Sequence, residues 1–307
     1  MTVSLPRLRG DNPLAYLVAL GILGLVSDDD AVATLAWTRD GQLNIPEFSS
    51  VLAGSREELV DYLADRLEPD ERLVAGWLRF DAKDLNALTV GGLRERLAES
   101  EGKSDERIVT SLAAEVPIKP PRGRRTDGPT IRSSQAARTP FCMAMFNIHS
   151  GFIQAAVRQA NALTRDDIEA CLQWRHERGV TSLNLDPAAR AQVRALMAQE
   201  PTEAGPSGVP AAIPIAVRGI AFYPLAPRRR EPTPPQFPPG RGFRWPVWTQ
   251  SLPAQAIRPL VAAPFLDGAA SSQLRAHGID AVYEADVEPF TVRNQPLTRF
   301  KWGRQVA

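Results

Sequence analysis

The sequence predicts an α+β fold of mixed helices and short antiparallel strands and hairpins, with two loop-rich inserts. Three observations predict it. An apolar run near the start reads as a buried helix, alternating apolar and polar residues flank an Asp-Gly step soon after it, and the later helical and strand-like patterns lack a regular βαβ alternation.

The first element lies in "RLRGDNPLAYLVALGILGLVSDDD", residues 7–30. Two arginines followed by an apolar stretch resemble a secretory signal, but Asp11 and Asn12 interrupt the approach and three aspartates stand where small neutral residues belong. Asn12 is a helix cap and Pro13 suits the first helical position. Leu14 to Val26 is too short for a bilayer, which needs about 20 residues. The reading is therefore a buried helix, in which Ala15, Ala19, Gly21 and Gly24 admit close neighbours while Leu14, Tyr16, Leu17, Leu20 and Leu23 fill space.

"ATLAWTRDGQLNIPEF" predicts strands at about 33–38 and 42–46 around an Asp40-Gly41 turn. "SREELVDYLADRL" predicts an amphipathic helix with a Ser55/Glu58 capping box and Leu59, Tyr62, Leu63 and Leu67 on one face. "WLRFDAKDL" reads as a strand, "VGGLRERLAES" as a helix, and "SDERIVTSLAAEV" as a helix capped by Ser104. Past the first insert, "TPFCMAMFN" reads as a strand, "SGFIQAAVRQANAL" as a helix, and "TRDDIEACLQW" as a helix capped by Thr164. "IPIAVRGIAFYPL" is strand-like, and "DAVYEADVEPFTVRNQPLTRFKWGRQ" mixes short strands with basic turns.

With 307 residues, 44% hydrophobic and 23% charged, the chain has material for one large domain or two smaller ones. Its net charge of +1 conceals a division at Val116: residues 1–116 carry 12 Lys plus Arg against 21 Asp plus Glu, and residues 117–307 carry 24 against 14. This suggests an acidic part (1–116), a basic flexible loop (117–138) and a basic part (139–307) with a Pro-rich insert at 201–246. The two cysteines, Cys142 and Cys171, read as buried hydrophobes in a reducing, cytoplasmic compartment.

Groups for catalysis are sparse. His149, His176 and His277 fall in no His-Asp or metal-binding spacing, no CxxC occurs, and no Gly-rich phosphate loop follows a strand. The aspartates at 28–30 read as a solvated loop, and His149 as a structural histidine at a helix start. The expectation is a protein without catalytic residues, metal or cofactor.

The positive features are two arginine-rich segments. Lys119, Arg122, Arg124, Arg125, Arg132 and Arg138 face only Asp127 as an opposing charge, in a Pro- and Gly-rich stretch suited to tracking a phosphate chain. Arg228, Arg229, Arg230, Arg241 and Arg244 adjoin Phe243, Trp245 and Trp248. This second set suits either stacking on bases or a protein interface.

Three stretches carry a resemblance. "LRGDNPLAYLVALGILGLV", "RTPFCMAMFNIHSGFIQAAV" and "LNLDPAAR…GVPAAIPIAVRGIAFYPL" are similar, in order and spacing, to subunits of type I CRISPR effector complexes (Cascade) of subtype I-G, formerly I-U. The likeness is to the large subunit or to an accessory family associated with the nuclease-helicase; Leu185-Asp186-Pro187 stands where the large subunit has a Trp-Asp-Pro step. It implies a non-catalytic role in antiviral defence, with crRNA, target DNA, other effector subunits and the nuclease-helicase as partners and no membrane association. Guide pairing would read sequence while the protein contacts backbone and shape. The alternative is a protein-protein adaptor from the same locus that makes no direct nucleic-acid contact.

Overall fold

The Asn12-Pro13 step begins a helix. In the computed structural model, which describes residues 2–41, 43–67, 90–100, 104–117, 134–138, 141, 156, 158–189, 207–228, 231–233, 237, 242–263, 270–292 and 295–307, the fold is α+β. Its helices are α1 (Pro13–Ser27), α2 (Arg56–Leu67), α3 (Val90–Ser100), α4 (Ser104–Leu112), α5 (Arg165–Leu172), α6 (Ala212–Ile220), α7 (Ala254–Val261) and α8 (Ser271–Ala276). The strands are β1 (Thr2–Ser4), β2 (Thr34–Asp40), β3 (Leu43–Ser49), β4 (Ala113–Pro117), β5 (Ser134–Arg138), β6 (Glu177–Arg178), β7 (Ser207–Gly208) and β8 (Ala226–Arg228). They continue with β9 (Glu231–Thr233), β10 (Phe243–Trp248), β11 (Leu252–Pro253), β12 (Ile279–Ala285), β13 (Val287–Val292), β14 (Gln295–Phe300) and β15 (Arg304–Gln305).

α1 is buried on every side, from Pro13 to Val26 with few gaps. Asn12 accepts hydrogen bonds from the N–H groups of Leu14 and Ala15 at 3.0 and 3.3 Å, which settles donors that the first turn cannot pair internally. α1 packs chiefly on α6, and two glycines set the approach. A Cβ built on Gly21 would lie 2.0 Å from the Ile215 carbonyl oxygen, and one on Gly219 1.9 Å from that of Leu17. Gly24 differs, since a Cβ there makes only ordinary contacts, with the Phe222 ring at 3.4 Å and the Arg218 carbonyl oxygen at 3.8 Å.

The strand-like reading of "IPIAVRGIAFYPL" is corrected, because its first part is the helix α6. Ile213, Ile215, Val217 and Ile220 favour a strand by their branched side chains. Ala212, Ala216 and Gly219 recur at helical spacing, however, and packing against α1 outweighs a preference of tenths of a kilocalorie per residue.

A four-stranded antiparallel sheet runs in the order β1-β3-β2-β11. Asp40 pairs with Leu43 and so belongs to the strand rather than to the turn of the Asp40-Gly41 reading, while Gly41 lies in the left-handed region at φ +61°. β10, β12 and β15 form a second, three-stranded sheet. β10 is buried along its whole length, which corrects the reading of a loop-rich insert through residue 246. Trp245 and Trp248 donate their indole N–H groups to the carbonyls of Gly10 and Leu35, at 2.7 and 2.8 Å, tying β10 to the N-terminal segment.

The predicted Ser55/Glu58 capping box forms, and the predicted Thr164 cap proves to be a capping box as well. Ser55 and Glu58 exchange hydrogen bonds at 3.1 Å each, and Thr164 and Asp167 close α5 in the same way. α4 ends at Leu112 rather than continuing through Val116, because residues 113–117 pair with β5. The readings of "WLRFDAKDL", of Cys142 and His149, of most of "TPFCMAMFN" and of half of "SGFIQAAVRQANAL" lie outside the described residues.

One continuous apolar core takes side chains from Val3 to Phe300, so it draws on both sides of the acidic–basic division. Tyr16 of α1 stacks on Trp37 of β2 at 5.3 Å and lies 5.7 Å from Trp245 of β10. Among the described residues no helix is long and apolar enough to cross a membrane.

Candidate nucleic-acid interface

The first arginine-rich segment is entered and left through a paired ribbon. β4 and β5 run antiparallel with Ala113 opposite Arg138 and Pro117 opposite Ser134. Residues 134–138, read as loop, are therefore strand. Arg138 is the last residue of β5, while Lys119, Arg122, Arg124, Arg125 and Arg132 lie outside the described residues.

The second segment has the same construction. β8 and β9 pair with Arg228 opposite Glu231; Arg229, Arg230 and Arg241 lie outside the described residues. The two ribbons lie against each other, β4 touching both β8 and β9, and β5 touching β9. Segments about a hundred positions apart are thus brought to one place. A further bond fixes the arrangement: the Leu225 N–H, just before β8, donates to the Thr110 carbonyl of α4 at 3.0 Å.

Arg244 belongs elsewhere, which corrects its assignment to a binding surface. It is 8% exposed and forms a charge-assisted pair with Glu284, whose other oxygen accepts from Arg304 at 3.1 Å. Burial tends to raise the Glu284 carboxyl, but the hydrogen bonds from Arg244 and Arg304 prevail and hold it below its ordinary value. Phe243, Trp245 and Trp248 are fully buried, with the Phe243 and Trp245 rings stacked at 4.9 Å. Their faces are occupied by the core, so neither base stacking nor a protein interface uses them.

Two sites escaped the sequence reading. The Asp186 carboxylate accepts from Asn12 Nδ2, His176 Nε2 and the Ala188 N–H, each at 2.8 Å. This joins the Asn12-Pro13 and Asp186-Pro187 steps, which sequence reasoning singled out separately but had no means of pairing across 174 positions. Close to His176 and Asp186 in the chain, Trp174, Leu183 and Asn184 adopt positive φ between 51° and 61°. The side chains of His176 and Asp186 are 3% and 0% exposed, so the pair has no surface for a substrate and serves as a buried joint.

The second is Asp30, read as one of three solvated aspartates. It is 4% exposed and accepts from Ser50 Oγ and the N–H groups of Val51 and Val32, at 2.8, 2.8 and 3.1 Å. Burial tends to raise its carboxyl and these bonds outweigh it, leaving it below the ordinary carboxylate range. Asp29 is also engaged, accepting from Tyr62 at 2.7 Å and pairing with Arg66.

Cys171 is buried and free, its thiol pushed far up by burial, so it is unreactive at neutral pH. No group of three His, Cys, Asp or Glu suited to a metal ion occurs among the described residues. Compared with protein-family models and with curated proteins, the chain matches none.

Proposed function

We propose that the protein is a non-catalytic nucleic-acid-binding subunit of a cytoplasmic, RNA-guided type I CRISPR effector, holding crRNA or target DNA or recruiting the nuclease-helicase. The observation that carries the binding part of this reading is the contact between the two ribbons. It sets the ribbon β4–β5, whose strands flank the first arginine-rich segment, against the ribbon β8–β9, which carries Arg228. A polyanion spanning both would release counterions from each, so affinity would fall steeply with salt. The CRISPR assignment rests on the sequence resemblance.

Co-purification with the products of the neighbouring genes, followed by nuclease treatment and sizing of bound nucleic acid, tests the proposal. The expected result is a large particle holding RNA of one discrete length. Replacing Arg122, Arg124 and Arg125 together by Glu is expected to leave the particle assembled and strip its nucleic-acid retention. A protein recovered alone and free of nucleic acid would overturn the reading, and retention unchanged by charge reversal would move the contact away from this segment.

A further inference from the structure

Among the described residues five large apolar side chains are exposed, and three of them, Val32, Val51 and Leu52, come from one place in the fold. They are 67%, 77% and 42% exposed. The β2–β3 ladder ends with Thr34 opposite Ser49, so residues 32 and 51 leave the same end of the hairpin. One buried carboxylate fixes both departures. Asp30 accepts from the Val32 N–H at 3.1 Å and from the Val51 N–H at 2.8 Å. Ser50 Oγ donates to the same carboxylate at 2.8 Å and accepts from the Leu52 N–H at 3.0 Å.

With their backbones held by these bonds, the three aliphatic side chains stay outside the core and keep their apolar surface in water. An aliphatic cluster on a pre-ordered backbone suits a partner, because little conformational freedom remains to be lost when it is covered. A small apolar hollow adjoins the cluster, lined in part by Val26, Ala33, Phe48 and Ala53. Ala33 and Ala53 are the chain neighbours of Val32 and Leu52.

The surrounding charge defines the partner's chemistry. Asp28 and Asp29, in the turn that follows α1, and Glu57 and Glu58, in the first turn of α2, are exposed. Residues 1–67 carry 10 Asp plus Glu against 5 Lys plus Arg. Of those cations, Arg66 is paired with Asp29 and Arg56 lies 3.6 Å from Glu169. Asp28 also stands at the C-terminal end of α1, where the helix dipole disfavours a carboxylate and favours an approaching cation.

We propose that Val32, Val51 and Leu52 form a docking surface for a protein segment that carries aliphatic side chains flanked by lysine or arginine. The partner is another subunit of the particle described above; that identity rests on the proposed function, whereas the chemistry of the surface does not. The surface uses none of the arginines assigned to nucleic acid, so the two are separable by experiment.

Fluorescence anisotropy with a labelled amphipathic peptide of leucine and lysine tests the chemistry, on the wild type, the double variant Val32→Ser/Val51→Ser, and Asp28→Asn. Serine keeps the backbone N–H groups that bond Asp30, and both positions are exposed, so the Tm of the double variant should equal that of the wild type. The wild type is expected to bind the peptide, less tightly as salt rises. The double variant should bind at least about tenfold more weakly. Asp28→Asn should bind more weakly with a shallower salt dependence. A peptide of the same pattern with glutamate in place of lysine should not bind. If the double variant does not fold, Val51→Ser alone, at the most exposed of the three positions, decides the matter. Equal affinity of wild type and double variant, equal affinity for the two peptides, or no binding to the wild type would overturn the inference.

Co-purification with the products of the neighbouring genes separates this surface from the proposed function. A double variant that drops out of the particle, yet binds a fluorescent single-stranded oligonucleotide as the wild type does, supports both. A particle unchanged in the variant would overturn the docking surface and leave the function standing. Loss of the variant from a particle whose wild-type subunit binds no oligonucleotide would support the surface and overturn the nucleic-acid function.

Discussion

Asn12 does two jobs with one amide, and they separate on substitution. Its oxygen caps α1 and its Nδ2 donates to Asp186. Asn12→Ala loses the cap and removes one of three donors from a buried carboxylate, an expected loss of about 2–4 kcal/mol by urea unfolding at pH 7. Asn12→Asp preserves the cap, because Asp serves at that position as well as Asn does. It also sets a second carboxylate against one that is fully buried, and is expected to cost at least as much as the alanine variant at pH 7. Equal stability of Asn12→Asp and wild type at pH 7 would show that the contact with Asp186 contributes nothing.

At the scale of elements, the packing of α1 on α6 makes distinct predictions for three glycines. Gly21 and Gly219 sit where the backbones touch, and a methyl group at either would have to push the helices apart. Gly21→Ala and Gly219→Ala are each expected to destabilise by about 3 kcal/mol, the upper range for overpacked cores. Gly24 has ordinary room, so Gly24→Ala should gain about 1 kcal/mol from helix propensity. Thermal denaturation of the three variants checks the contrast. A uniform response would mean that helix propensity, rather than helix contact, governs all three positions. The same contact explains how a β-branched segment becomes helical, since the partner helix supplies what local preference does not.

At the scale of the whole molecule, two buried carboxylates far apart in the chain contribute to the acid limb of stability. Asp30 fastens the end of α1 to the residues after β3, and Glu284 joins β10 and β12 to the C-terminal strand β15. Both are held below their ordinary values in the folded state. The unfolded chain therefore binds more protons than the folded one as these groups titrate. Their contribution is complete above the unfolded value near 4 and is lost as pH falls through the lower folded values. Stability measured by urea unfolding should be level from about pH 7 to 5 and decline below about 4. Asp30→Asn should be less stable at pH 7 and show a shallower decline, whereas a decline as steep as wild type would remove Asp30 from this account.

What the sequence determined by itself was local. Asn12-Pro13, Ser55/Glu58 and Thr164 carry their capping chemistry within a few residues, and α1, α2 and α5 start where that chemistry places them. The arginine-rich segments were legible as charge. The contact between their ribbons was not, because β4, β5, β8 and β9 are short strands whose partners only the folded chain selects. Tertiary structure alone decided that Phe243, Trp245 and Trp248 face inward, that Arg244 neutralises a buried glutamate, and that Asp186 meets Asn12 and His176. The physical reason is common to all of these. Burial and pairing depend on which distant surfaces meet, and aromatic or charged side chains look alike in sequence whether they end in the core or at the surface.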